Sequence, residues 1–368
     1  MMRRMTFRRA LLSSLALFVL VALVDSGCSS GPTGPGLPGA RTFRMGFSGI
    51  PPRPDFATAV ATINLWTQRA DGAIFHVAPP WDSLLAGVSP DSLILKNEYG
   101  LAQYYRSKNL DIVVTLDATD GLNRTQEAPE LIAAGRSLGE PAVRQLYRDY
   151  AVAIDTLLKP SRMGFAAETN LIRAAAPTAV YNAVIQAANV AAADVRARDP
   201  LVRRYVSVQV EVAWGRLTSS GPLTYAGVAQ DLLDFPFAQD IGLSSYPYLG
   251  GFSEPEQVPL DYYSAVHDEV ARPVLMVEGG WTSASVGSVT SSPQKQARWI
   301  AREAALLGRA QAVGWYQLTF ADLALSAFPP QPPGSILPLF ASLGLVDTTL
   351  APKPALGVWD NVFRRPLQ

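Results

Sequence analysis

Apolar, β-branched runs recur along the chain at residues 43–47, 73–77, 111–116, 162–167, 205–212, 240–244, 273–277 and 312–317. Their starts are spaced by roughly 30 to 51 residues, the spacing of strand–helix units with some long loops. The segments between them carry helical periodicity. Segment 55–69 opens on Asp55, a good N-cap, and Pro141–Leu158 sets Val143, Leu146, Tyr147, Tyr150, Ile154 and Leu157 along one stripe. Thr178–Arg198 is rich in alanine and stops before Pro200; further helices are expected at 225–233, 260–270 and 293–307. Strands that are apolar on both faces suit a parallel sheet covered by helices. Eight such units predict an α/β fold of the (β/α)8 TIM-barrel type. A doubly wound open sheet is the alternative, because periodicity alone does not show closure.

The first residues depart from this pattern. Arg3, Arg4, Arg8 and Arg9 precede a mostly apolar run, 11–23, that is shorter than the about 20 residues a membrane span needs. The layout is that of a signal peptide over 1–27, ending at Gly27-Cys28. Cys28 is the only cysteine, so it makes no internal disulfide. The segment resembles a bacterial lipoprotein signal with Cys28 as the lipidated residue, although Asp25 stands where an aliphatic residue is usual. That resemblance implies an extracytoplasmic protein, lipid-anchored to the cell envelope, at the outer membrane where one exists. Residues 28–41, dominated at first by Gly, Pro and Ser, read as a flexible tether, leaving 42–368 for the barrel.

Charge and composition narrow the chemistry. Lys plus Arg and Asp plus Glu balance at 31 each, and no basic block follows residue 10, which argues against a nucleic-acid partner. Two histidines, His76 and His267, and one cysteine leave little for a metal site, and no phosphate-binding glycine loop is present. No cofactor or metal is expected, and the protein is read as a monomer. Aromatic and carboxylate side chains remain in quantity, which suits a carbohydrate partner.

Two strand-like runs each end in a glutamate, Glu168 and Glu278. A carboxylate is costly to bury, so an apolar run delivering one at its tip needs a reason. In a closed barrel the ends of the fourth and seventh strands open on the same rim. Two carboxylates there match what cleavage of a glycosidic bond requires: one as proton donor to the leaving oxygen, one to capture the anomeric carbon. Singly, each could equally cap a helix or pair with an arginine.

These motifs resemble the glycoside hydrolase clan built on a (β/α)8 barrel with catalytic glutamates after strands four and seven. The segment 162–170, ending Glu168-Thr-Asn170, is similar to the acid/base segment, and 273–281, containing Glu278-Gly-Gly-Trp281, to the nucleophile segment. Between them, 241–248 is similar to the sixth strand of endo-β-galactanases and cellulase-like relatives, and implies that Tyr246 contacts the nucleophile. Gly314-Trp315-Tyr316 resembles the eighth strand, whose aromatic residue floors a sugar subsite. Ala167 departs from the pattern, which usually has asparagine before the acid/base glutamate to contact the sugar 2-hydroxyl; Asn170 is the candidate substitute.

The resemblance implies retaining hydrolysis of a β-linked polysaccharide or oligosaccharide. With carboxyls about 5 to 5.5 Å apart, a negative Glu278 would raise the pKa of Glu168 and keep it protonated as the acid. Glu278 would attack, oriented by Tyr246. Trp315, Trp281 and Trp214, near strand ends, are candidate sugar platforms, and His76 a subsite donor. Asp117 and Glu211 either bind sugar hydroxyls or pair with an arginine. Asn123-Arg-Thr125 matches a glycosylation sequon and is read as chance. The proline-rich loop 326–335 is expected over the active face. The alternative to an enzyme is a glycan-binding lipoprotein on a glycosidase-like barrel, favoured by Ala167.

Overall fold

The computed structural model describes residues 39–217 and 224–368. The expected signal peptide, Cys28 and the tether up to residue 38 lie outside the described residues. Arg41, assigned to the tether by sequence, belongs to the folded body. Its backbone N–H donates to the Pro366 carbonyl at 2.9 Å and its guanidinium to Asp71, so it ties the two ends of the barrel sequence together.

Eight parallel strands close into a barrel, which rules out the open sheet. In chain order they are β1 (Arg44–Ser48), β2 (Gly72–Val77), β3 (Asp111–Leu116), β4 (Arg162–Gly164), β5 (Arg203–Gln209), β6 (Asp240–Ser245), β7 (Val274–Gly279) and β8 (Gly314–Gln317). Each pairs with its sequence neighbour, and β8 returns to β1 through Arg44 opposite Gly314. Helices fill every interval, including Phe56–Trp66 capped by the Asp55 carboxylate on Thr58 N–H, Pro141–Leu158 and Thr178–Arg198. Among the described residues no helix is long and apolar enough to cross a membrane.

Alternation along the strands sorts the side chains into two layers. Ile74, Val113, Tyr205, Leu275, Val277 and Tyr316 fill the barrel interior, while a larger core lies between strands and helices. The Tyr205 ring is accommodated because β4 has Gly164 beside it: a Cβ there would come within 2.5 Å of the ring. Its hydroxyl bonds Thr115 at 2.7 Å and donates to the Val114 carbonyl at 2.9 Å, so this large polar ring is satisfied deep in the barrel.

Two irregularities position the site. In β7 the pairing to β6 steps from Leu243 opposite Met276 to Ser244 opposite Glu278, leaving Val277 as an extra residue. This bulge lets Val277 fill the barrel interior and the next residue, Glu278, also face the barrel mouth. After β3, a short antiparallel hairpin joins Thr119–Asp120 to Asn123–Glu127 and carries Arg124 back over the rim.

Candidate active site

A cavity of about 460 Å³ opens at the C-terminal ends of the strands, in the size range of ligand pockets. Glu168, Glu278, Tyr246, His76, Asp117 and Arg124 all line it. The two acids separated by over a hundred positions in sequence therefore face one space.

Glu168 is held from every side. Regular β4 ends at Gly164, but the chain stays against β5: Phe165 N–H donates to the Tyr205 carbonyl and Ser207 N–H to the Ala166 carbonyl, both at 3.0 Å. Glu168 then adopts a left-handed conformation (φ 49°, ψ 47°) and starts the helix Thr169–Ala175. Such a conformation is uncommon for a residue with a Cβ and concentrates at functional sites. Its N–H donates to Ser207 Oγ at 2.9 Å. One carboxylate oxygen accepts from Ser244 Oγ at 2.7 Å and the other from Arg124 Nε at 2.8 Å.

Arg124 is the residue that sequence reasoning missed. It is 7% exposed and also donates from Nη1 to both oxygens of Asp117 at 2.7 Å, forming a chain Asp117–Arg124–Glu168. Burial alone would weaken its charge, but Asp117 and then Glu168 outweigh this and raise its pKa. Asp117 is thus the arginine-paired acid that was one of its two expected roles. The only signal for Arg124 in the sequence was a polar turn immediately after the third strand.

Glu278 has the opposite surroundings. Its Oε1 accepts from the Tyr246 hydroxyl at 2.7 Å, the contact expected for Tyr246. Burial, and next the negative charge of Glu168, push its pKa up to about 7, against the opposing effects of Arg124 and the Tyr246 hydroxyl. Burial and the Glu278 charge in turn raise the Tyr246 hydroxyl well above its ordinary value, so it stays a neutral donor. The expectation made Glu278 the charged partner of a protonated Glu168; the structure instead pairs Glu168 with Arg124, while burial and the Glu168 charge displace Glu278 toward neutrality.

Glu211 supports this arrangement from beneath. Fully buried, it accepts from Gln209 Nε2 (2.6 Å), Ser245 Oγ (2.7 Å), Tyr246 N–H (3.1 Å) and the Tyr262 hydroxyl (3.2 Å). Burial raises its pKa. It fixes the backbone that carries Tyr246 and makes no arginine pair among its hydrogen bonds.

The expected sugar platforms are not at the cavity. Trp315 points outward from β8 because Gly314 and Tyr316 take the inward positions, and its ring packs against Phe43 and Trp359. Trp281 is 1% exposed, between Tyr248 and Trp299. Trp214 stacks on Tyr262 at 5.4 Å and donates to its carbonyl. Asn170 is also spent: its amide donates to the Gln209 carbonyl and accepts from Gln209 N–H, locking the helix after Glu168 to β5. It does not replace the asparagine missing at Ala167. His76 does reach the cavity, with Nε2 2.9 Å from the Val277 carbonyl and a pKa lowered to about 4 by burial, so the ring is neutral. Among the described residues no cluster of three His, Cys, Asp or Glu side chains could hold a metal ion.

Solved structures of similar architecture include glycoside hydrolases. The exo-β-1,4-mannosidase Op5Man5 from Opitutaceae bacterium strain TAV5 superposes with a TM-score of 0.64 at 15% identity, over 89% of this chain. What the two share is the closed (β/α)8 barrel. A GH5_18 protein from Streptomyces cattleya, solved with Manβ1-4GlcNAc, gives 0.62 at 15% identity over 88% of this chain and 80% of its own. Xylanase 10B from Thermotoga maritima gives 0.57 at 11% identity over 88% of this chain and 95% of its own. The chain spans about 60% of the length of the Opitutaceae mannosidase. No protein-family model matches the sequence, and no curated protein matches it. At these identities the likeness carries the architecture, and function must be argued from the site.

Proposed function

We propose that this protein is a retaining β-glycoside hydrolase whose reacting pair is Glu168 and Glu278. The observation that carries the reading is the opening of both strand-end carboxylates onto one ligand-sized cavity, with the Tyr246 hydroxyl seated on Glu278. Because the two acids repel, they titrate as a pair that keeps one proton until near neutral pH. The reactive form has that proton on Glu168 and the negative charge on Glu278. Glu278 attacks the anomeric carbon while Glu168 protonates the leaving oxygen; water, deprotonated by Glu168, then frees the sugar.

The Asp117–Arg124–Glu168 chain also favours a second reading, a barrel that binds glycosides without cleaving them. Incubation with aryl β-glycosides of several sugar configurations distinguishes the two. Release of the aryl alcohol by the native protein, lost by at least about 100-fold in Glu278→Gln, supports the hydrolase. Binding without release supports the second reading. For the N-terminal segment we propose lipid anchoring at Cys28; labelled fatty-acid incorporation that disappears in Cys28→Ala tests it.

A further inference from the structure

Part of the cavity wall is hydrocarbon. Leu323, Phe328 and Leu337 form a buried apolar cluster separate from the main core, with Ile50 and Leu122 packed against it. It is assembled from the loops after β1, β3 and β8, all at the barrel mouth. Ile50, Leu122, Leu323 and Leu337 line the cavity together with Phe340. Ile336, 39% exposed, continues the same wall to the opening. The charged side chains that line the cavity are Asp117, Arg124, Glu168 and Glu278 of the acid site, together with Glu98. Among the described residues no tryptophan lines the cavity.

A subsite for a further sugar unit is built from flat aromatic faces and side-chain hydrogen-bond groups, whereas Ile50, Leu122, Leu323, Ile336 and Leu337 form a continuous aliphatic stretch with Phe340 at its side. An exposed aliphatic surface that continues into a pocket marks a place where apolar matter binds. We infer that the site takes β-glycosides of a hydrocarbon aglycone, with the sugar at the acid site and the aglycone along Ile50, Leu122, Leu323 and Leu337. This rests on the hydrolase reading for its chemistry: the glycosidic C–O bond breaks, water supplies hydroxyl to the anomeric carbon and a proton to the departing alcohol. In place of the polysaccharide or oligosaccharide expected from sequence, this inference takes an amphiphile as substrate.

The test uses methyl, butyl and octyl β-glycosides in gluco, galacto and manno configurations, below their micellar concentrations, with matching β-1,4-linked disaccharides. Binding is read by calorimetry and turnover by sugar release. The inference expects affinity to rise by about two- to fourfold per methylene over the first several carbons, and kcat/KM to rise with it where cleavage occurs. Ile336→Asp, at an exposed position, should flatten that rise. Octyl glycosides bound no better than methyl glycosides, or disaccharides bound more tightly than octyl glycosides, would overturn it. So would an octyl zwitterion lacking sugar that binds as well as the octyl glycoside. Disaccharide cleavage without any chain-length preference leaves the hydrolase and sinks this inference; chain-length-dependent binding without cleavage does the reverse.

Discussion

Arg124 Nε lies 2.8 Å from Glu168 Oε2, and the same guanidinium grips both oxygens of Asp117. The hairpin after β3 thus delivers a guanidinium to the carboxylate that follows the neighbouring strand β4. Arg124 is therefore the group whose removal probes proton transfer by Glu168 most directly.

Removing the guanidinium frees Glu168 but strands Asp117, so the informative variant is the double substitution Asp117→Asn with Arg124→Met. It should raise the rate on alkyl relative to aryl glycosides, because only the poor alkyl leaving group needs the proton. The single Arg124→Met should lose about 3 kcal/mol or more of stability, as expected when one partner of a buried pair is removed. Chemical denaturation and a leaving-group series measure both. An unchanged alkyl-to-aryl ratio in the double variant would reject a controlling role for Arg124.

Glu278 makes stability fall as pH rises. Its folded-state pKa, about 7, lies above the ordinary carboxylate value of 4.5, so the fold binds that proton more tightly than the unfolded chain does. The resulting stabilisation is complete below about pH 4.5 and is lost as pH climbs through 7. Its size is on the order of 3 kcal/mol at most, by the free energy of a pKa shift. Glu278→Gln should remove this dependence. Melting temperatures of both proteins from pH 5 to pH 8 check it: the variant should gain on the native protein toward the alkaline end.

Tyr246 controls the same titration from the other side. Its hydroxyl favours the charged form of Glu278, so Tyr246→Phe should move the pair's pKa upward. In the pH profile of kcat/KM the alkaline limb, near pH 7 in the native protein, should shift to higher pH, with the maximal rate lower by about tenfold or more. A shift downward would show that the hydroxyl does not act through Glu278.

Trp315 should matter to stability and not to ligand contact. It is fully buried against Phe43 and Trp359, so Trp315→Ala should cost about 3 to 5 kcal/mol, the usual range for a large aromatic removed from a core. Calorimetric melting reads this directly. A native-like melting temperature combined with lost glycoside binding would return Trp315 to the sugar site.

The sequence made the barrel legible because its signal is repetitive: each strand run and most of the long helices repeat the same periods, and the helices Pro141–Leu158 and Thr178–Arg198 have the predicted bounds. Glu168 and Glu278 were legible for a related reason, as charges at the tips of apolar runs. What was not legible depended on which way a side chain points. Trp315 was placed at the sugar site by analogy, whereas simple alternation from Tyr316 turns it outward. Glu278 has the reverse history, since strict alternation from Val277 would turn it away and only the bulge brings it in. Arg124 was hidden because its partners, Asp117 and Glu168, are brought to it by a two-stranded hairpin too short to leave a periodic trace.

Glu168 occupies a backbone state that glycine or asparagine enters more readily, at a difference of about 1 kcal/mol or more for an ordinary side chain. Substitution drift that rewarded thermal robustness alone would therefore press on this position and trade the acid for a smaller residue. Potential chemistry and ease of folding pull against each other at one pair of torsion angles.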